Sequence, residues 1–211
     1  MNTKMKTKTP PKPPSRTPAP VGEVRIIGGQ WKRSKLPVPP VPGLRPTPDR
    51  VRETLFNWLG QDLSGWRCVD AFAGSGALGF EAASRGAAEV RVFERDRALV
   101  AGLQRNAQRL QATTLHIQPS DALASLRALT PGVWDVVFLD PPFGDGHNDA
   151  LFAQALQAAL PLLKPDGFIY LEAPRAWADD ELAAYGLRVH RHGKAGLVHY
   201  HLLERGTPAT A

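Results

Sequence analysis

Apolar and polar residues alternate along most of this chain in two distinct ways. From residue 67 onward, short apolar runs rich in β-branched residues predict strands covered on both faces; they lie at residues 68–72, 90–93, 115–118 and 136–139. Longer segments with apolar positions at helical spacing separate these runs, and they predict helices over residues 77–85, 97–110 and 150–163. This alternation of strand and helix predicts an α/β fold built on an open, mostly parallel sheet.

The C-terminal part of the chain has a different pattern. Residues 164–167, with the sequence Lys-Pro-Asp-Gly, predict a turn into a strand over residues 168–171. Beyond that strand, residues 188–192 and 197–203 predict an antiparallel pair around residues 193–196. The sheet is therefore expected to end in antiparallel strands.

The first apolar cluster of the chain, within residues 24–36, predicts a small β-hairpin with a Gly-Gly turn. Its second limb, residues 30–35, interleaves Trp31 with three cations, a composition that suits contact with phosphates and a stacked base. A basic edge strand also protects against aggregation, but the charge distribution along the chain favours nucleic-acid contact. The prolines of residues 37–42 predict a stiff connector.

A helix is predicted directly after this connector. Thr47 is placed as its N-cap and Pro48 at its first helical position, with Asp49 in the first turn, where the helix dipole favours a negative charge. Apolar residues then recur at helical spacing and predict a stripe that faces the core, formed by Val51, Leu55, Trp58 and Leu59.

Charge divides the chain into a basic N-terminal quarter and a mildly acidic remainder. Residues 1–52 carry a formal charge of +10 and the remainder carries −4, within a total of +6 for 211 residues. This asymmetry favours a polyanionic partner, most simply nucleic acid. We expect four parts: a disordered Lys- and Pro-rich tail (1–22), the hairpin and helix (23–60), the main α/β domain (61–205) and a flexible C-terminus (206–211).

The sequence also limits the expected cellular location and oligomeric state of the protein. Cys68 is the single cysteine, so no internal disulfide can form. No stretch approaches the roughly 18 apolar residues of a membrane span, and the N-terminus lacks the apolar segment of a secretory signal. We therefore expect a cytoplasmic protein without a membrane partner, and nothing in the sequence demands more than a monomer.

The strand over residues 136–139 ends at Asp140-Pro141-Pro142-Phe143. Open α/β sheets place their ligands at such strand ends, and the two prolines stop the strand rigidly. The result is a carboxylate, bare carbonyls and one aromatic ring. Asp140 and the Pro141 carbonyl can accept hydrogen bonds from an exocyclic amine, which localises its lone pair, while Phe143 stacks on the base.

A glycine-rich turn follows the first strand of the α/β region. The pattern Gly74-x-Gly76-x-x-Gly79 permits close approach of a ligand to the backbone and fits either a nicotinamide dinucleotide or S-adenosylmethionine. Three features favour S-adenosylmethionine: an acidic residue in the first strand, acidic residues at the ends of the second and third, and the Asp-Pro-Pro-Phe motif. These acidic residues are Asp70, Glu94, which can hold ribose hydroxyls, and Asp121, which can meet an adenine amine.

Three segments together resemble one protein family. Arg45-Pro-Thr-x-Asp-Arg-Val-Arg-Glu-Thr-Leu-Phe-Asn-Trp-Leu59, Asp70-x-Phe-Ala-Gly-Ser-Gly-Ala-Leu-Gly79 and Asp140-Pro-Pro-Phe143 are similar to the RsmD family of bacterial 16S ribosomal RNA guanine-N2 methyltransferases. Arg25-Ile-Ile-Gly-Gly-x-Trp31 matches the N-terminal element of that family. The resemblance covers about residues 24–203, and the long arginine-rich segment before the glycine motif makes it specific.

The resemblance implies a class I S-adenosylmethionine-dependent methyltransferase: a Rossmann-like, seven-stranded, mostly parallel sheet whose last strand is antiparallel, with a small N-terminal hairpin and helix extension. It implies transfer to N2 of one guanine of 16S rRNA, presented on an assembled or assembling small ribosomal subunit. The flipped guanine would be held by the catalytic set Asp140, Pro141, Pro142 and Phe143.

The resemblance also implies two binding sets. The cofactor set comprises Thr47, Arg50, Asp70, Phe72, Ala73, Gly74, Ser75, Gly76, Glu94, Arg95, Asp121, Ala122 and Asp140. In this set, the glycine turn packs on the methionyl part, Glu94 binds the ribose, Asp121 lies at the adenine, and the segment of Thr47 and Arg50 closes over the cofactor. The RNA set comprises Arg25, Trp31, Lys32, Arg33, Lys35 and Arg45.

Three other functions compete with this interpretation. An adenine-N6 methyltransferase acting on DNA or RNA would use the same kind of amine, so the family resemblance alone separates it from a guanine enzyme. A non-catalytic RNA-binding module should have lost part of the glycine, Glu94 and Asp140 set. A nicotinamide-dependent oxidoreductase has no use for the Asp-Pro-Pro-Phe motif.

Four histidines near the C-terminus fall on the predicted antiparallel pair. His190 and His192 share one strand face, as do His199 and His201. We interpret them as exposed edge histidines rather than ligands, and we predict no metal site.

Overall fold

A computed structural model describes residues 22–44, 46–142 and 148–206. The strands are β1 (Gly22–Arg25), β2 (Lys35–Val38), β3 (Arg67–Asp70), β4 (Glu89–Glu94), β5 (Leu115–Pro119), β6 (Trp134–Leu139), β7 (Leu163–Ala173), β8 (Leu187–Ala195) and β9 (Val198–Arg205). The helices are α1 (Asp49–Trp58), α2 (Ala77–Ser84), α3 (Arg97–Leu110), α4 (Ala122–Ala128), α5 (Asp149–Ala159) and α6 (Asp179–Ala183), with a 3₁₀ turn at Leu160–Leu162.

The main sheet has seven strands in the order β5-β4-β3-β6-β7-β9-β8. Strands β3 to β7 pair in parallel, whereas β9 pairs antiparallel with both β7 and β8. The order reverses between β3 and β6, and this switch point is where open α/β sheets bind their ligands. The predicted mostly parallel sheet with an antiparallel last strand is confirmed.

Both faces of the sheet are covered, as the continuous apolar strands require. Alternate residues of β6 enter different cores: Phe138 packs with the hairpin and helices α1, α2 and α3, whereas Val137 packs with α4 and α5. The N-terminal hairpin contributes Val24, Ile26 and Leu36 to the first of these cores. The hairpin is therefore part of the layer that covers one face of the sheet.

The hairpin differs from the sequence prediction in its second limb. Strand β1 pairs with β2, so the second limb is Lys35–Val38, and the predicted limb at residues 30–35 is wrong. Residues 30–33 form a turn instead, in which Arg33 has a φ of 72°. Strand β2 also takes in Pro37, the first residue of the predicted connector, which a two-stranded edge tolerates.

Helix α2 holds the hairpin turn through one buried carboxylate. The two oxygens of Glu81 accept hydrogen bonds from the backbone N–H groups of Ile27 and Gly28 at 2.9 and 2.8 Å. They also accept from Arg52 Nη1 at 3.3 Å and Arg85 Nε at 2.9 Å. The Arg52 and Glu81 side chains are almost fully buried, so this network fixes the hairpin turn and α1 against α2.

Helix α1 does not begin as the sequence predicts. Pro48 is the residue that precedes the first turn, and no side chain caps it, so the assignment of Thr47 as N-cap and Pro48 as first helical residue is wrong. The physical reason is a long-range contact: the Thr47 hydroxyl donates to Glu172 Oε1 at 2.7 Å. Val51, Leu55 and Leu59 are buried as expected.

Three further differences concern the C-terminal half of the chain. Residues 164–167 lie within the continuous strand β7, at an irregularity in its pairing with β6, rather than in a separate turn. Helices α4 and α6, of 7 and 5 residues, were not predicted. Such short helices carry too few turns for a clear apolar period.

The histidines near the C-terminus depart from the sequence interpretation, because His192 is exposed but His190 and His199 are half-buried. His201 is fully buried, not exposed. Its Nε2 accepts a hydrogen bond from the Trp177 backbone N–H at 3.1 Å, and burial lowers its pKa to about 4. His192 and His199 stack beside it, with their ring nitrogens 3.0 Å apart. Within the described ranges, no group of three or more His, Cys, Asp or Glu is arranged to hold a metal ion.

No helix in the part of the chain that the structure covers is both long enough and apolar enough to cross a membrane.

Candidate active site

Acidic residues lie at or just beyond the carboxyl ends of five neighbouring strands. Because parallel strands end at the same edge of a sheet, these residues line one edge, in the order β5, β4, β3, β6 and β7. They are Asp121, Glu94, Asp70, Asp140 and Glu172. The first four were predicted from the sequence, whereas Glu172 was not.

Strand β6 stops at Asp140, which is half-buried, and the chain continues through buried Pro141 and exposed Pro142. Burial raises the pKa of Asp140 well above its ordinary value, and the negative charges of Glu172 and Asp70 add to this rise. When it is ionised, a partly buried carboxylate beside other negative charges is a strong hydrogen-bond acceptor and is stabilised by any donor that binds to it. Phe143, the predicted stacking residue, lies outside the described residues.

Glu172 stands directly beside Asp140. Leu139 of β6 pairs in register with Leu171 of β7, so the residues that follow them, Asp140 and Glu172, are neighbours on the same side of the sheet. Glu172 Oε1 accepts hydrogen bonds from Thr47 Oγ1 at 2.7 Å and from the Tyr170 hydroxyl at 3.0 Å. Burial raises the pKa of Glu172, and these two hydrogen bonds oppose the rise.

The sequence carries a signal for Glu172. An acidic residue interrupts the apolar run Phe168-Ile-Tyr-Leu-Glu-Ala173 of a central strand. Buried carboxylates in such positions are costly unless they are hydrogen-bonded or functional. What the sequence does not contain is the identity of the donor, because Thr47 lies 125 residues away.

The glycine turn has the geometry that its sequence predicts. Gly74 and Gly76 adopt positive φ values of 51° and 78°, a region that L side chains rarely occupy. A Cβ on Gly76 would also lie 2.4 Å from Leu103 Cδ2. Ser75 between them is buried. The turn is thus tightly constrained, and it leads directly into helix α2.

Glu94 is fixed by the backbone around it. Its Oε2 accepts a hydrogen bond from the Gly74 N–H and its Oε1 from the Asp96 N–H, both at 2.8 Å. A carboxylate has about four lone-pair positions, so these two bonds orient Glu94 and leave acceptor capacity at the strand end. The neighbouring Arg95 is exposed.

Asp70 is buried beneath the glycine turn. Its Oδ2 accepts a hydrogen bond from the Gly79 N–H at 2.8 Å. Burial raises the pKa of Asp70 from 3.8 to about 7, and the nearby Glu94 adds to this rise while the Gly79 hydrogen bond opposes it. The role of Asp70 in this structure is to join strand β3 to helix α2 below the turn.

The raised pKa of Asp70 predicts a pH-dependent stability. The folded chain holds this proton more tightly than the unfolded chain, so the contribution of Asp70 is most favourable below about pH 4 and is lost as the pH rises to about 7. In Asp70→Asn, we expect the free energy of unfolding in urea to fall less over this range than in wild type. The exposed Asp166→Asn should follow wild type, and a slope unchanged by Asp70→Asn would contradict the prediction.

The remaining cofactor-set residues lie around the same edge. Asp121 is exposed and caps α4, accepting from the Ala124 N–H at 2.9 Å, and Ala122 begins that helix. Phe72 is half-buried and packs against the second core, whereas Ala73 is buried in the first. Arg50 is exposed at the start of α1, close in sequence to Thr47.

The predicted RNA set lies mainly on the hairpin. Arg25, Lys32, Arg33 and Lys35 are exposed, and Lys35 Nζ pairs with Glu23 at 2.5 Å. The Trp31 side chain is half-buried against the first core, and the Trp31 backbone N–H donates to Ser84 Oγ at 3.0 Å, so side chain and backbone both hold the turn in place. Arg45 lies outside the described residues.

The sheet order, the glycine turn at the switch point and the row of carboxylates define a class I methyltransferase. The sequence pattern of a family described as "Conserved hypothetical protein 95" matches residues 24–204, and the chain belongs to this family, the RsmD family. Its cofactor is therefore S-adenosylmethionine.

Named relatives and a solved structure agree with the assignment to this methyltransferase family. The chain is 42% identical over 191 residues to ribosomal RNA small subunit methyltransferase D of Escherichia coli strain K12, covering 87% of this chain and 91% of that protein. It is 45% identical over 165 residues to the protein of the same name from Haemophilus influenzae, covering 76% and 83%. A solved structure, the putative methyltransferase yhhF from Escherichia coli, superposes with a TM-score of 0.72 at 39% identity, covering 88% and 99%.

The described residues fit this cofactor. The oriented Glu94 carboxylate has lone pairs left for hydroxyl donors. Gly74 is half-buried, so its backbone is approachable, and a Cβ there would already lie 3.0 Å from Leu44 Cδ1. The acidic edge gives the site a negative potential, which suits a ligand that carries a sulfonium cation.

Proposed function

We propose that this protein is a ribosomal RNA methyltransferase that transfers a methyl group from S-adenosylmethionine to the exocyclic N2 of a guanine in small-subunit 16S rRNA. One observation carries the proposal: Asp140 directly follows β6 as a half-buried acceptor at the sheet switch point, in a chain of this family. The names of the relatives support rRNA of the small subunit as the substrate.

The proposed division of labour follows from the site. The glycine turn at Gly74 and Gly76 would lie against the methionyl part of the cofactor, Glu94 would accept from its ribose hydroxyls and Asp121 from its adenine amine. S-adenosylmethionine supplies an electrophilic methyl group, so that a nitrogen–carbon bond forms as the carbon–sulfur bond breaks. The amine proton is then released to water.

Asp140 and the Pro141 carbonyl would hold the guanine amine. The amine lone pair is delocalised into the base, and acceptors placed out of the ring plane localise it on N2, where it can attack. The same acceptors stabilise the positive charge that develops on nitrogen during transfer. The base would have to leave its stack to reach this edge, as for other base-modifying enzymes.

The exposed cations of the hairpin would contact the phosphate backbone of the rRNA. Lys32 and Arg33 lie on the turn that Glu81 and Ser84 hold against α2. Their position is therefore fixed relative to the edge of the sheet that carries the five acidic residues, which we call the catalytic edge. Phosphate contacts of this kind set position and orientation rather than base identity.

The proposal predicts one specific product. Small ribosomal subunits from cells that lack this protein, incubated with the enzyme and labelled S-adenosylmethionine, should yield label in N2-methylguanosine after nucleoside analysis. A parallel sample with free rRNA shows whether the assembled particle is the substrate. A sample without the enzyme gives the background label. Label in N6-methyladenosine would refute the guanine assignment, and absence of label in every RNA sample would refute the activity.

A further inference from the structure

Glu172 is the one acidic residue of the catalytic edge that no role above explains. The residue is only 4% exposed, although a carboxylate in a central strand is costly to bury. It lies beside Asp140 on the same side of the sheet, because Leu139 and Leu171 pair in register. Neighbouring strands are about 4.8 Å apart, so two side chains placed in this way can meet the edge of a single base.

The hydrogen bonds of Glu172 are unevenly divided between its two oxygens. Thr47 and Tyr170 both donate to Oε1, at 2.7 and 3.0 Å. Among the residues with described positions, none donates to Oε2. The two donors therefore hold the carboxylate in one orientation and leave the second oxygen with its acceptor capacity.

We propose that Glu172 accepts a hydrogen bond from N1–H of the target guanine while Asp140 accepts one from the adjacent N2 amine, and that Glu172 thereby selects guanine over adenine. This inference rests on the proposed function. The Watson–Crick edge of guanine presents two adjacent donors, N1–H and the N2 amine, which match two adjacent carboxylates. Adenine presents its amine next to an N1 lone pair, which would face the ionised Glu172 carboxylate without a proton between them.

The physical basis of this selectivity is the asymmetry of buried hydrogen bonds. A buried acceptor left without its donor costs more than the bond itself gains. Sites built to hydrogen-bond a substrate group consequently reject analogues that lack the group much more strongly than apolar pockets reject a change of shape. Glu172 would thus exclude adenine even though Asp140 alone accepts either amine.

The test compares guanosine with 2-aminopurine at the target position. This analogue keeps the N2 amine but has an N1 lone pair in place of N1–H, and it also lacks O6. In small subunits assembled with either nucleoside, wild type should prefer guanosine, by about 10- to 100-fold in kcat/KM if one base contact is lost. In Glu172→Gln, the amide N–H can donate to N1 of 2-aminopurine, so the preference should fall at least about tenfold. The missing O6 affects both enzymes alike and cancels in this comparison.

Two further variants control this experiment. Thr47→Val removes a donor that orients Glu172 while keeping the side-chain shape, so part of the guanosine preference should be lost. The exposed Glu53→Gln should behave as wild type. Affinity for S-adenosylmethionine, measured by calorimetry, should be unchanged in Glu172→Gln, since the side chain is assigned to the base.

The outcomes separate the inference from the proposed function. If Glu172→Gln lowers kcat/KM for both nucleosides by the same factor, Glu172 is only structural and the inference fails while the methyltransferase assignment stands. If wild type forms no N2-methylguanosine, the proposed function fails and the inference with it.

Discussion

Asp140→Ala is expected to lose nearly all methyl transfer while it keeps most of its affinity for S-adenosylmethionine, because the other residues of the cofactor set are unchanged. The carboxylate is proposed to localise the amine lone pair and to stabilise the charge that develops on nitrogen, and both effects belong to the transition state. Removing one such preorganised group costs on the order of 10²- to 10³-fold in kcat. Single-turnover transfer to small subunits, combined with calorimetric binding of the cofactor, measures the two properties separately.

The control for this variant is Asp166, an exposed aspartate of β7 that lies outside the Asp-Pro-Pro-Phe motif. Asp166→Ala should transfer methyl groups as wild type does. Asp140→Asn keeps one acceptor oxygen and should fall between wild type and Asp140→Ala. Unchanged turnover in Asp140→Ala would remove Asp140 from the mechanism.

The same side chain predicts how the activity of wild type depends on pH. Burial, with Glu172 and Asp70 nearby, raises the pKa of Asp140 well above its ordinary value. Since the ionised form is the acceptor, kcat/KM should rise with pH through a pKa above that of a free aspartate.

Glu81→Gln is expected to destabilise the fold strongly. The carboxylate accepts from two backbone N–H groups of the hairpin and from two arginines with buried side chains, Arg52 and Arg85. A glutamine offers one acceptor oxygen, and its amide nitrogen would face other donors. Breaking a buried ion pair by removing one partner typically costs about 3–5 kcal/mol.

Urea denaturation measures this loss, and amide hydrogen exchange shows where it acts. In Glu81→Gln, the amides of Ile27 and Gly28 should exchange faster than in wild type, because their acceptor is weakened. The exposed Glu53→Gln on α1 serves as the matched control and should change neither quantity. A loss below about 1 kcal/mol would place Glu81 with ordinary surface ion pairs and would contradict its assigned role.

The sequence was sufficient wherever a signal is local. Helix α3 begins and ends where its apolar period predicts, at Arg97–Leu110, because Asp96 caps it and accepts from the Ala98 and Leu99 N–H groups. The strands of the parallel sheet are marked by apolar runs, and each of their carboxyl ends carries a polar residue. These strand ends led to Asp70, Glu94, Asp121 and Asp140, whereas Glu172, which lies inside an apolar strand run, was not predicted.

The errors share a different physical cause, which is competition from distant partners. Thr47 has the composition of an N-cap, but its hydroxyl donates to Glu172, 125 residues away. Residues 30–35 have the composition of a strand, but the backbone N–H groups of Gln30 and Trp31 donate to Ser84 on α2. The chain therefore turns at this point, and strand pairing with β1 begins only at Lys35. Propensity is a local quantity and does not contain these contacts.

Helix α2 sets a fixed distance between two parts of the molecule. It begins at the glycine turn beside the catalytic edge, and its last residue, Ser84, holds the basic turn of the hairpin. Eight helical residues rise about 12 Å, which is more than one nucleotide can cover. An RNA that contacts both points would therefore have to continue several nucleotides beyond the target base, so the rigid helix would make the enzyme sensitive to the length of its substrate as well as to its sequence.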